Sequence, residues 1–97
     1  MSFIGFKEAK RKVIAALKNG AYQHEARDNI DTKNLLQMGS VSAAQVCDLL
    51  RVCQGQDHSS SPHHQAPDIQ VHVVRRDGWY IKFYFVDPDT VFISVHQ

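Results

Sequence analysis

Between Ile69 and His96 the sequence alternates with a period of two, and this pattern constrains the fold more than any other feature of the chain. The odd-numbered positions Ile69, Val71, Val73, Trp79, Ile81, Phe83, Phe85, Val91, Ile93 and Val95 are apolar. The even-numbered ones include Gln70, His72, Tyr80, Lys82, Tyr84, Ser94 and His96. Successive side chains of a strand point to opposite faces, so this is the signature of half-buried strands. It predicts strands over about 69–75, 79–86 and 91–96, with turns at Arg76-Asp77-Gly78 and around Asp87-Pro88-Asp89.

Keeping the whole odd-numbered set on one face requires an odd number of residues in each hairpin loop. A three-residue loop Arg76-Asp77-Gly78, with glycine where positive φ is needed, meets that condition. It sets Val73 opposite Ile81 and His72 opposite Lys82. The second hairpin admits a three-residue loop, which puts Lys82 opposite His96, or a five-residue loop, which puts Tyr80 there. Directly opposed residues have Cβ atoms roughly 5 Å apart. His72, Lys82 and His96 are therefore expected as a row across three strands, flanked by Gln70, Tyr80, Tyr84 and Ser94.

The first half of the chain has a helical period. Phe6, Ala9, Val13, Ala16 and Leu17 recur at three- and four-residue intervals and predict a helix over about 3–19, stopped at Asn19-Gly20. A second stretch, about 26–38, carries Ile30, Leu35 and Leu36 and closes at Gly39. Ser42 and Gln45 have the spacing of a capping box. They open a third helix over about 43–53, with Val46, Leu49, Leu50 and Cys53 as its buried stripe. Residues 56–67, which include HSSSPHHQAP, hold no apolar side chain larger than alanine or proline and read as a surface loop. The expectation is one α+β domain over 1–97, with N-terminal helices packed on one face of a C-terminal three-stranded antiparallel β-meander. A chain of 97 residues has room for a single modest core.

A net charge of +1 gives no long-range case for nucleic acid binding, so any such case rests on the local run Lys7, Lys10, Arg11 and Lys12. The N-terminus lacks the basic-then-apolar order of a signal peptide, and no apolar run approaches a membrane span. Cys47 and Cys53, six residues apart on one helix, are separated by a rise of roughly 9 Å. That is too far for a disulfide. Free thiols suit a reducing, cytoplasmic location.

The residue types on the even-numbered face point to acid–base chemistry. Histidine exchanges protons near neutral pH, and a lysine between two histidines adds a cation for developing negative charge. Metal-independent cleavage of RNA by attack of the 2′-OH on the adjacent phosphate needs such a set: a base, an acid and a cation. The tyrosines offer stacking for single-stranded bases. Lys10 and Arg11 on the first helix would hold the RNA backbone. Loop 56–67 would bring His58 and its neighbours over the rim of the sheet. His24 either packs at a helix start or pairs with phosphate, with Arg27 one turn on. A zinc site of His58, His63 and His64 is the weaker alternative, because two of the ligands are adjacent and no thiol is near. No cofactor is expected. A non-catalytic interaction domain that uses the same polar, aromatic face is the alternative from another class.

The element order, the strand WYIKFYF and the terminal VFISVHQ resemble the small bacterial toxin endoribonucleases of the RelE-like superfamily, most closely the motility quorum-sensing regulator (MqsR) toxins. The resemblance covers most of the chain by element order, and its residue matches fall in the C-terminal half. YIK at 80–82 is similar to a strand motif whose tyrosine is a site residue, which implies that role for Tyr80. FISVH resembles the last strand, with His96 where that family has a lysine. The stretch DHSSSPHHQ lies where the family has a catalytic lysine followed by a glutamine, for which His58 and Gln65 are the nearest counterparts. The resemblance implies a RelE-like ribonuclease toxin fold, an mRNA substrate and a cognate antitoxin protein as partner. Lys82, His96, Tyr80, His58 and His72 are the expected catalytic set. Gln65, Tyr84, Lys10, Arg11, Arg27 and His24 are the expected RNA contacts. The oligomeric state stays open, a homodimer being one option.

Overall fold

The computed structural model describes residues 3–26 and 33–97. In chain order it contains α1 (Phe6–Asn19), β1 (Tyr22–His24), α2 (Leu35–Met38), α3 (Ala43–Val52), a 3-10 turn (Gly55–Asp57), β2 (His58–Pro62), β3 (Gln70–Arg76), β4 (Trp79–Val86) and β5 (Asp89–His96). The fold is α+β, built on one five-stranded mixed sheet in the order β1-β5-β4-β3-β2. The expected three-stranded antiparallel meander is not the sheet observed: β3, β4 and β5 pair antiparallel, but two unexpected strands flank them, one of them parallel.

Both additions have physical reasons for escaping a periodicity reading. β2 lies inside the expected loop and pairs antiparallel with β3, Ser60 opposite His72. Its residues Ser59 to Pro62 are exposed at the sheet edge, where no apolar alternation is needed, and a proline is tolerated at its end. β1 pairs parallel with β5, Tyr22 opposite Thr90, and three residues are too few to display a period. β1 and Glu25 lie just ahead of the expected second helix, and Ala26, its first expected residue, is not helical. Asn34 bridges Val95 ahead of α2, and residues 27–32 of that expected helix lie outside the described residues.

The other helices form where expected. In α1, Ala9, Val13, Ala16 and Leu17 make the buried stripe, and Gly20 at φ 72° ends the helix. In α3 the Ser42–Gln45 capping box is present, with both reciprocal bonds made. The two helices pack together on one sheet face, where Val13, Leu17, Val46 and Leu50 meet Val74, Ile81, Phe83, Phe92 and Val95. Burying each such side chain is worth roughly 1.5–3 kcal/mol. A one-residue slip of β4 would exchange Ile81 and Phe83 for Lys82 and Tyr84, so this core fixes the register.

The first hairpin departs from expectation. Arg76 pairs with Trp79, leaving a two-residue turn in which Asp77 (φ 53°) and Gly78 (φ 82°) are both left-handed. That is the type I′ geometry, whose twist matches the flanking strands and which Asp-Gly favours. An even loop reverses the parity between β3 and β4. His72 therefore lies opposite Phe83, and Val73 opposite Lys82. His72 and Val74 turn to the helix-covered face with Ile81 and Phe83, while Val71 and Val73 turn to the other, outer face. Val71 is nonetheless buried there.

The second hairpin also has a two-residue loop, Val86 pairing with Asp89, and a bulge between Lys82 and Phe83 gives β5 one extra residue, Ile93. Beyond the bulge Tyr80 pairs with His96 and Lys82 with Ser94, the register expected of the longer loop. Before it, Phe83 pairs with Phe92 and Tyr84 with Val91. The bulge thus sends Phe92 and Val95 into the core and Ser94 and His96 to the outer face. The odd-numbered apolar set does not share one face.

Candidate functional site

Tyr80, Lys82 and Tyr84 alternate along β4 on the outer face, so neighbours in this row are roughly 7 Å apart. His96 stands beside Tyr80 across the strand pair, its ring 5.1 Å away and 20° from parallel. From β3 the Arg75 guanidinium lies 5.2 Å from the Tyr80 ring. This end of the face is a cation–aromatic–imidazole stack.

At the other end the chain after β2 folds over the sheet. His63 is 8% exposed and packs edge-on to Tyr84, with ring centroids 5.4 Å apart. A tight loop holds it: its N–H donates to the Ile69 carbonyl (2.8 Å), and the Ile69 N–H donates to the Ala66 carbonyl (2.9 Å). The Gln65 N–H donates to His63 Nδ1 at 3.1 Å, so the ring proton sits on Nε2, which faces Glu25 Oε1 at 3.6 Å. The Tyr84 hydroxyl donates to the same oxygen at 3.4 Å. Burial, and then the neighbouring Glu25 carboxylate, push the Tyr84 phenol above its ordinary pKa and keep it a donor. His64 stacks on His63 at 4.9 Å and is exposed.

Glu25, His63, His64 and Lys82 line one cleft of about 230 Å³, with Ser61 and Ile93 in its wall. It gathers a carboxylate held by two polar neighbours, an exposed imidazole and an ammonium. Such a set can take a proton, give one, and bind a phosphate between them. Among the described residues no group of three His, Cys, Asp or Glu side chains is arranged to hold a metal ion.

The expected row of His72, Lys82 and His96 does not form. His72 is fully buried on the helix side, where His58 Nε2 lies 2.9 Å from its Nδ1. His58 also faces the helices, packed 5.1 Å from the Phe6 ring. Burial lowers the pKa of both imidazoles, that of His72 to about 4. Neither can serve a reaction at Lys82. The zinc alternative fails for the same reason, since His58 and the His63–His64 pair lie on opposite faces.

His24 faces the core side of β1 opposite Phe92, and the Asn34 side-chain amide lies 3.1 Å from its Nδ1. Burial lowers its pKa, and it packs against Tyr22 and Phe92 rather than lining this cleft. Lys10 Nζ donates to the carbonyls of Arg51 (2.7 Å) and Cys53 (3.0 Å), closing the end of α3. Arg11 pairs with Glu8 on the same helix. Both lie on α1, on the far side of the sheet from Lys82, and so do not reach this cleft. Gln65 is exposed beside the cleft through its contact with His63. Arg27 lies outside the described residues. Cys47 and Cys53 are buried free thiols, raised in pKa chiefly by burial.

Glu25 is the group that residue spacing missed, while His64 was expected at the rim of the sheet but not in the catalytic set. Glu25 follows a three-residue strand with no periodic signal, and only β1 pairing with β5 carries it to the outer face. Compared with models of known protein families, with curated proteins and with solved structures, the chain matches none.

Proposed function

We propose that this protein binds single-stranded RNA on the outer sheet face and cleaves it without a metal in the Glu25–His63–His64–Lys82 cleft. The observation that carries this reading is the convergence of Glu25, His64 and Lys82 on one cleft of about 230 Å³ beside the row of tyrosines. Glu25, oriented by Tyr84 and His63, accepts the 2′-OH proton. The freed oxygen attacks the adjacent phosphorus, and Lys82 balances the charge that builds on the phosphoryl oxygens. The His64 imidazolium protonates the departing 5′-oxygen, leaving a 2′,3′-cyclic phosphate and a 5′-hydroxyl. The Arg75–Tyr80–His96 stack provides a platform for a neighbouring base. We take the enzyme to be, as the resemblance to RelE-like toxins implies, one half of a type II toxin–antitoxin pair, with mRNA as substrate and an antitoxin protein as partner.

Incubation of the purified protein with RNA in EDTA tests the reading. Fragments ending in cyclic phosphate, lost in Glu25→Gln, support it. RNA that binds saturably but stays intact would overturn cleavage and leave an RNA-binding face, and RNA that does not bind overturns this reading and leaves the protein-interaction domain that uses the same face.

A further inference from the structure

A second cavity, of about 520 Å³, lies on the helix side of the sheet between the start of the chain, β3 and the end of β4. This is within the range of small-molecule sites, about 300–1,000 Å³. Phe3, Ile4, Ile69, Phe85 and Val86 give it apolar walls, and His72 is the buried polar group in its lining. His72 Nε2 has no hydrogen-bond partner among the described residues. A buried polar atom left unpaired is costly and uncommon, and a ligand that bonded it would remove that cost. The ring is flanked by Phe83 and His58 from the two neighbouring strands, 20° and 28° from parallel, so a ligand bond to the buried Nε2 would have to lie in the ring plane.

We propose that this cavity binds a small, neutral, flat heteroaromatic molecule, hydrogen-bonded in plane to His72 Nε2. Charge around the mouth argues for neutrality. Lys12 is paired with Asp87 at 3.1 Å and sits 4.5 Å over the Phe85 ring, so its charge is already matched, and Asp68 leaves the rim slightly negative. An anion is disfavoured there, and a cation would bury its charge among apolar walls. The His58–His72 hydrogen bond makes the contact adaptable. With its proton on His58, His72 Nε2 is a donor; with its proton on His72 Nδ1, Nε2 is an acceptor. A heteroaromatic edge that carries either group is accommodated. The site lies on the face opposite the RNA cleft and does not depend on that reading.

Benzimidazole is a suitable probe at pH 7.5, with benzoate and benzamidinium as its charged counterparts, followed by the ¹⁵N resonances of the histidine rings. Saturable benzimidazole binding that moves His72 Nε2 and leaves His63 unmoved is expected. Each charged analogue should bind about fivefold or more weakly. His72→Phe, which keeps a flat ring without the nitrogen, should weaken binding about five- to tenfold. Should that variant fail to fold, Ile69→Trp, at a half-buried wall position, decides by filling the cavity and abolishing binding. Absence of saturation at millimolar probe, or unchanged affinity in the variant that folds, overturns the assignment.

Discussion

The Tyr84 hydroxyl and Glu25 Oε1 lie 3.4 Å apart, joining the centre of β4 to the chain that leaves β1. This contact orients a carboxylate that no regular element holds. Tyr84→Phe removes the donor and keeps the ring that packs on His63. A hydrogen bond to a charged group is worth roughly 1.5–3 kcal/mol, so RNA cleavage should fall by about one to two orders of magnitude. Affinity for an uncleavable 2′-deoxy oligonucleotide should change little. Single-turnover cleavage beside equilibrium binding separates the two.

Glu25→Gln and Lys82→Ala should fail differently. Loss of the base should lower the cleavage rate by about 10²–10⁴-fold with near-normal RNA affinity. Loss of the ammonium removes a phosphate contact, so affinity should drop and the slope of log K against log salt should shrink by about 1. Titrations at several salt concentrations check this. Equal salt slopes for the two variants would remove Lys82 from the phosphate.

The central strands, α1 and α3 were legible because apolar periodicity reports burial against a core, and Val13, Leu50, Ile81 and Phe83 are that core. The relative phase of two strands was not legible, because it depends on whether the turn holds two or three residues. Asp77-Gly78 favours two, yet the alternation of Val71 and Val73 argues for three until the segment around His63 is known to cover Val71. The outer-face positions of Tyr80, Lys82, Tyr84 and His96 followed from β4 and the end of β5. His58 and His72 went to the wrong face with β3. Glu25 was invisible, since its place depends on a parallel pairing between residues far apart in sequence.

Gly78 is the residue on which that phase depends. Its φ of 82° is strained for any residue with a Cβ, although a Cβ there would meet nothing within 4 Å. Gly78→Ala should therefore cost about 1–2 kcal/mol through backbone conformation alone. Gly78→Asn, which tolerates left-handed geometry, should recover much of it. Urea unfolding of the two variants measures the difference, and equal losses would mean that the turn is not type I′.

The buried histidine pair ties stability to pH. His72 titrates at about 4 when folded, against an ordinary value of 6.5, because burial and then the neighbouring charges of His58 and Lys12 oppose its protonation. Below 6.5 the unfolded chain takes up a proton that the folded chain refuses, so folding weakens as pH falls from 6.5 to about 4 and levels off beneath that. The loss from His72 alone is on the order of 3 kcal/mol. His58 and His24, also lowered by burial, add to it in the same direction. Urea midpoints measured from pH 7.5 downward should fall through this window in the native protein. In His72→Phe the fall should be shallower by the share His72 contributes. A variant whose stability tracks pH as steeply as the native protein would place the linkage on other groups.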